Sequence, residues 1–452
     1  MTHGVKSILH CCLVCCCITA TLILLAACQS DNEQPAPSSG TPITVTAAVQ
    51  APTTRAATGQ TADMNYKVLT QTGFGLYAYG PYGKTDNYSS SATKLPGTGN
   101  NTKVEYIGSE TNRDDIPSDV FLYPGNWSYG TTVDWEKDKR YAFLAYAPYV
   151  SAGVMDEPGI TSVSSTGDPK IGYAIGTTPG DCVDLLWAVN EKTGMPWTDV
   201  TLSDTGGPVL LTFHHALAAI GFHVQAMIDK SNDTGNLFDH SDVADLLGTS
   251  GKYKITIKKL ELTGDFHPSG TFSLNNSTAY EPSWATIADL AEKTLTVGNT
   301  FVDTGFKHPD EGDTDATKAE NIMKDGTLTG VTQDPQQLLV TKKAYEESDA
   351  MEQSFFVIPT ATAQNYTATL YWCISGQAPD DTYICEDRTS PITITGLKLE
   401  AGVKYYLNFV IGLHTLSLDV TAQDWTGNTK NVDIQIEHGT SAHSSLARQT
   451  NH

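Results

Sequence analysis

Near its C-terminal end the chain reads Val403-Lys-Tyr-Tyr-Leu-Asn-Phe-Val-Ile411 and, after four intervening residues, Leu416-Ser-Leu-Asp-Val420. Val403, Tyr405, Leu407, Phe409 and Ile411 share one side of an extended chain, and Leu416, Leu418 and Val420 do the same in the next run. Val432, Ile434 and Ile436 repeat the pattern, as do Ile220, Phe222, Val224, Ala226 and Ile228 upstream. Ile43, Val45, Ala47 and Val49 form the earliest such face. Between Tyr253 and Leu262 the apolar parity switches, from Tyr253, Ile255 and Ile257 to Leu260 and Leu262, which predicts a bulge at Lys258 or Lys259. Helical spacing is confined to short pieces such as Ser241 to Gly248 and Ala316 to Gly326. Strands of this length between Gly, Asn, Asp and Pro turns predict an all-β chain of sandwiches and exclude a wound α/β sheet.

Length and charge bound what such a chain can do. It has 452 residues, 40% hydrophobic and 9% aromatic, a globular composition. That length exceeds what one hydrophobic core usually serves, so two domains are expected. The turn-rich joint Leu202-Ser-Asp-Thr-Gly-Gly-Pro208 divides them, giving 43–205 and 206–437, with a polar, frayed tail over 438–452. The formal charge is −23, and losing Lys6 with the leader takes it to −24. A field of that sign repels phosphate backbones, so nucleic acid is excluded as a partner.

Residues 1–27 carry only that one charge and end Leu25-Ala26-Ala27-Cys28. Small residues before a cysteine form a lipobox, which predicts a bacterial lipoprotein signal peptide with Cys28 as the lipidated residue. A transmembrane helix is the competing reading, since 17 uncharged residues lie near the lower limit for spanning a bilayer; the missing basic stop-transfer flank disfavours it. Residues 28–42, rich in Pro, Ser and Ala, read as a flexible tether. Of the nine cysteines, five fall in the leader and Cys28 closes it, leaving Cys182, Cys373 and Cys385 for the body. Cys373 and Cys385 flank a predicted hairpin and could pair outside the inner membrane; two buried thiols are the equal alternative.

Catalytic patterns are missing. No Gly-x-Ser-x-Gly occurs, and Ser269 before Gly270 lacks the upstream glycine. Gly83-Lys84-Thr85 imitates the end of a phosphate loop, but Ala78 stands where a glycine is needed, so it reads as a turn. His214 and His215 are adjacent in a strand and point to opposite faces, so they cannot grip one metal together. Asp310-Glu-Gly-Asp-Thr-Asp315 could take calcium through its carboxylates but lacks the EF-hand spacing; a solvated loop is the favoured reading. Ten of the 20 tyrosines lie between Tyr77 and Tyr149, with Trp127 and Trp135 among them. They could stack on sugars, but their alternation suits strand packing and makes core or interface the better reading. No enzyme, metal or cofactor is expected.

Several segments, taken in order, resemble the fimbrillins, lipoprotein precursors of type V pilus subunits that include Mfa-like members. Trp127-Ser-Tyr129 and Lys139-Arg-Tyr-Ala-Phe-Leu-Ala-Tyr-Ala-Pro148 resemble their aromatic strand ending in Tyr-x-Pro. Leu211-Thr-Phe-His-His-Ala-Leu-Ala-Ala-Ile-Gly-Phe-His-Val224 is similar to the strand pair that opens their C-terminal domain. Leu260-Glu-Leu-Thr-Gly264, Ser269-Gly-Thr-Phe272, Phe356-Val-Ile-Pro359 and Leu399-Glu-Ala-Gly-Val-Lys-Tyr-Tyr406, ending at Gln423-Asp-Trp425, continue the series. The resemblance implies two transthyretin-like (Ig-like) β-sandwich domains in tandem, no catalysis, and a fimbrial location after processing at the outer membrane. It also implies that an Arg-specific protease cuts after an early strand, which is lost. Arg55, followed by Ala56, is the only arginine before Arg113 and lies just beyond the strand Ile43 to Val49; an ordinary surface arginine is the alternative.

A strand from another pilin subunit would then fill the vacancy, placing alternate side chains in emptied pockets. The seven residues Ile43 to Val49 span roughly 23 Å, and burying Ile43, Val45 and Val49 contributes at most about 5–9 kcal/mol. Val432-Asp-Ile-Gln-Ile-Glu437 could be a donor or the last strand of its own sandwich. The competing function is a membrane-tethered surface lipoprotein that serves as pilus anchor or holds a host or bacterial glycan.

Overall fold

The computed structural model describes residues 40–49, 64, 66–89, 94–95, 101–108, 127–151, 158–164, 168–178, 181–192, 195–196, 199–226, 252–275, 282–298, 336–339, 354–377, 383–411, 416–425, 428–438 and 442–443. The segments expected to be helical at 241–248 and 316–326 lie outside them. In the first half the strands are β1 (Val45–Val49), β2 (Phe74–Tyr82), β3 (Thr102–Tyr106), β4 (Trp127–Ser128), β5 (Arg140–Ala147), β6 (Gly159–Val163), β7 (Lys170–Ala174), β8 (Leu186–Lys192), β9 (Met195–Pro196) and β10 (Val209–His215). The described helices are short, α1 (Tyr66–Thr72) and α2 (Leu202–Thr205). The predicted joint thus contains a helical turn, closed by Gly206 in the left-handed region at φ 62°.

Eight strands of the first half form one sheet in the order β1-β10-β8-β5-β2-β3-β4, with β9 attached to β8. The sheet rolls until its two flanks meet. Pro42 bridges Asp134, the Ile43 N–H donates to Val133 O at 2.7 Å, and the Tyr129 hydroxyl donates to Ile43 O at 2.7 Å. Inside the roll lies a core that includes Val45, Phe74, Leu76, Phe143, Leu211, Phe213 and Trp127.

The other face of the same strands is also buried. Tyr77, Leu144, Tyr146 and Trp187 join a second core that continues into the C-terminal half. This is why Tyr141-Ala-Phe-Leu-Ala-Tyr-Ala147 carries no polar residue on either side: each of its residues is 0% exposed.

The second half contributes β11 (Ala218–Ala226), β12 (Lys252–Phe266), β13 (Ser269–Ser273), β14 (Ser283–Ile287), β15 (Ala291–Gly298), β16 (Gln336–Leu339), β17 (Phe355–Val357), β18 (Gln364–Gln377), β19 (Tyr383–Leu397), β20 (Val403–Ile411), β21 (Leu416–Asp424), β22 (Thr429–Lys430), β23 (Gln435–His438) and β24 (Ala442–His443). One sheet runs β16-β11-β20-β21-β22, with β17 on β11, and another runs β15-β12-β18-β19-β23, with β24 on β19. Leu260, Leu262, Leu370 and Ile392 from one and Ile220, Leu407, Phe409 and Val420 from the other share a core. The predicted bulge is present: Ile257 pairs with Trp372 and Lys259 with Tyr371, leaving Lys258 as the extra residue.

Three features depart from the sequence reading. The strand pair expected to open the second domain is shared between sheets, because β10 pairs with β1 and β8 in the first sheet while β11 starts the second half. Ala216 and Leu217, both 0% exposed, make the crossing between the cores. A further sheet, β14-β13-β7-β6, takes two strands from each half, so backbone hydrogen bonds cross the boundary expected at 205/206. Finally, the tail expected to fray includes Ala442–His443, paired with Thr389 and Arg388.

Candidate functional site: the seat of the first strand

Strand β1 occupies one end of the rolled sheet and has β10 as its strand partner, in parallel register from Val45 opposite Val209 to Val49 opposite Phe213. The Val209 N–H donates to Thr44 O at 2.8 Å, extending the ladder by one residue. A parallel partner cannot be joined by a tight turn; here 159 residues separate the end of β1 from the start of β10.

The alternation read from the sequence places its residues as expected. Ile43 is 2%, Val45 3%, Ala47 0% and Val49 1% exposed, all within the roll, while Thr46 is half-buried. The two hydrogen bonds at Ile43 anchor the start of the strand against the opposite flank. Burial pushes the Tyr129 phenol above its ordinary pKa, so its hydroxyl stays a donor at physiological pH. The seat is therefore an apolar trough with one backbone ladder as its wall.

Beyond β1 the next described residue is Met64, 4% exposed, whose N–H donates to Asp184 Oδ2 at 3.0 Å. The same oxygen lies 2.8 Å from Nδ1 of His215, the last residue of β10. His215 stacks on Trp425 with 3.4 Å between ring centroids and 4° between planes. His214 takes the opposite face, as the sequence requires, against Trp187 at 5.3 Å. Burial, then the neighbouring His215, lowers its pKa to about 4. Sequence reasoning saw the histidine pair but missed Asp184, because its partners lie 31 and 120 residues away.

Cys28, Arg55, Ala56 and the loop at Asp310 lie outside the described residues. Cys182 is buried, and desolvation pushes its thiol up to about 12. Cys373 sits opposite Asp387 and Cys385 opposite Ser375, so the two cysteines are offset by two positions in the hairpin. Lys84 and Thr85 form the expected turn, with Lys84 3.1 Å from Asp138. Of the clustered tyrosines, Tyr77, Tyr79, Tyr106, Tyr129, Tyr141 and Tyr146 are buried, as are Trp127 and Trp135. Tyr82, Tyr88 and Tyr149 are half-buried. Trp127 packs edge-on to Tyr66 and Tyr106, and Trp135 to Tyr141. These rings build the core. Among the described residues, no helix is long and apolar enough to cross a membrane.

Fold and site together define a β-rich protein whose first described strand lies at a sheet end. The chain belongs to the Fimbrillin-like family, which residues 54–425 match. That family is fimbrial and non-enzymatic, and it implies a cell-surface location. Strand β1 lies just before the matched stretch.

Among solved structures, a fimbrial protein from Bacteroides vulgatus is similar at 17% identity and a TM-score of 0.48, covering 85% of this chain and 99% of that one. The fimbrial anchor protein Mfa2 from Porphyromonas gingivalis is similar at 11% identity and a TM-score of 0.25, covering 86% of this chain and 100% of that one. No curated protein matches.

Proposed function

We propose that the chain is the precursor of a structural pilus subunit that assembles by strand exchange. In this reading Cys28 carries the lipid that holds the precursor at the outer membrane, with residues 28–42 as tether. An Arg-specific protease then cuts between Arg55 and Ala56. Strand β1 leaves, and a strand from another subunit enters its trough, which makes the polymer that supports adhesion.

The observation that carries this reading is the placement of β1. Among the described strands it is an end strand with one ladder neighbour, so its loss breaks one ladder, yet the four inward residues Ile43, Val45, Ala47 and Val49 are at most 3% exposed. A vacated seat of that kind exposes apolar surface and an unpaired strand edge, and β-strand addition relieves both. The tethered glycan-binder draws less support, since six of the nine described tyrosines of that region, and both its tryptophans, are buried.

Intact mass and N-terminal sequence of protein sheared from cells, compared with protein left in the outer membrane, test the proposal. Sheared protein beginning at Ala56, within a ladder of heat-sensitive oligomers, is the expected result. Monomers that all begin at lipidated Cys28 would overturn the subunit reading and favour a tethered anchor or binder.

A further inference from the structure

We propose that Asp184 is the positioning residue that keeps the seat of β1 in place when the strand departs, an inference that rests on the strand-exchange reading above. Its side chain is fully buried and ties together segments distant in sequence. Oδ2 accepts the Met64 N–H at 3.0 Å and lies 2.8 Å from His215 Nδ1. His215 is the last residue of β10, the wall of the trough, and its ring lies flat on Trp425 at the end of β21. Trp425 in turn stacks on Phe356 of β17 at 6.4 Å and 15°. A single carboxylate thus links the chain just beyond the departing segment, the end of the trough wall, and the C-terminal half.

Losing β1 removes one of β10's two neighbours. What then holds β10 is its five-residue pairing with β8, Leu211 to His215 against Asn190 to Leu186, and the junction at its end. Neighbouring backbone bonds continue that junction: Ala216 N–H to Leu185 O at 2.9 Å, and Gly402 N–H to Leu217 O at 2.9 Å. Both described hydrogen-bond partners of Asp184, Met64 and His215, lie on the retained side of a cut after Arg55, so the departure of β1 takes neither away.

Stability alone does not call for such a group. A buried acid–imidazole pair costs desolvation, and well-packed apolar replacements are often neutral or better. Among the described residues its oxygen Oδ1 has no hydrogen-bond partner, a further cost. What a carboxylate supplies that an apolar side chain cannot is direction: two donors from separate segments converge on one atom, which fixes where Met64 and the end of β10 sit.

Hydrogen–deuterium exchange on the full chain, before and after nicking with an arginine-specific protease, tests this. In the intact wild-type chain the Met64 amide and the β10 amides are expected to be protected, and to stay so after nicking. Asp184→Ala should speed exchange at Met64 and the last β10 residues at least about tenfold while leaving β18 and β19 unchanged. Asp184→Asn, which keeps the shape and an acceptor, should fall between the two, and it serves as the variant if the alanine form does not fold. Equal exchange at Met64 in wild type and the folded variants would overturn the proposal, as would loss of protection at Met64 and β10 in the nicked wild type. The intact-chain comparison does not depend on where cells cut, so absence of cleavage at Arg55 would sink the strand-exchange reading without imitating either result.

Discussion

Trimming the side chains that seat β1 should make the strand leave faster once its linker is cut. Val45 is 3% and Val49 1% exposed, so each Val→Ala change removes two buried methyl groups. At about 0.8 kcal/mol per buried carbon, with a share for the cavity left behind, each costs roughly 1.5–2.5 kcal/mol. The two positions are about 13 Å apart along the strand, so their effects should add to roughly 3–5 kcal/mol. At about 1.4 kcal/mol per decade, the doubly substituted strand should dissociate roughly two to three and a half orders of magnitude faster. The assay is to nick the chain after Arg55, add excess unlabelled peptide spanning β1, and follow loss of the original strand by gel filtration and mass spectrometry. Thr46→Ala, at a half-buried position, is the control, with a change of about threefold or less expected. If the double variant releases its strand no faster than this control, inward packing is not what holds β1, and the reasoning fails.

Other consequences are sharper in one dimension each. Tyr129→Phe removes the donor to Ile43 O and should lower unfolding stability by about 0.5–1.5 kcal/mol, read from denaturant titration. Gly75→Ala should destabilise by roughly 2–3 kcal/mol, because the new Cβ would stand 2.5 Å from Asn101 Oδ1 and 2.7 Å from Tyr146 Cζ. A thermal melt would show it. His214 has a folded pKa of about 4 against an ordinary 6.5, so the unfolded chain binds the extra proton between those values. Its contribution is therefore intact above pH 6.5 and is lost as pH falls toward 4, amounting to at most about 3 kcal/mol. His214→Gln should flatten that part of the stability-versus-pH curve, and an unchanged slope would remove His214 as its cause.

Much of the fold was legible because the signals are local. Period-two alternation identified β1, β11, β20, β21 and β23, and the parity switch after Ile257 narrowed the bulge to Lys258 or Lys259, of which the structure makes Lys258 the extra residue. The adjacent histidines had to face opposite ways in any strand, and they do. The candidate site was legible only in part. The apolar side of Ile43 to Val49 was readable, but its parallel partner, 159 residues on, was not. Alternation states which face a residue takes and is silent on which strand lies beside it. The division of Leu211–Val224 between two sheets was hidden for the same reason: Ala216 and Leu217 are apolar in a run that is apolar throughout, with no turn residue to mark the crossing. Asp184 carried no signal at all, since one acid in an acidic chain becomes distinctive only when burial and two converging donors are seen together.

By itself the sequence determined the all-β class, the absence of recognisable catalytic motifs and the inward face of the first strand. Each of these depends on neighbours along the chain, on side-chain type or on the two-residue period of a strand. Only the tertiary structure decided that the first sheet closes flank to flank, that four strands join the halves, and that Asp184 gathers Met64, His215 and, through its ring, Trp425. Those are choices among pairings of similar local quality, settled by which arrangement buries both faces of β2, β5 and β8 at once, a cooperative property that no single segment encodes.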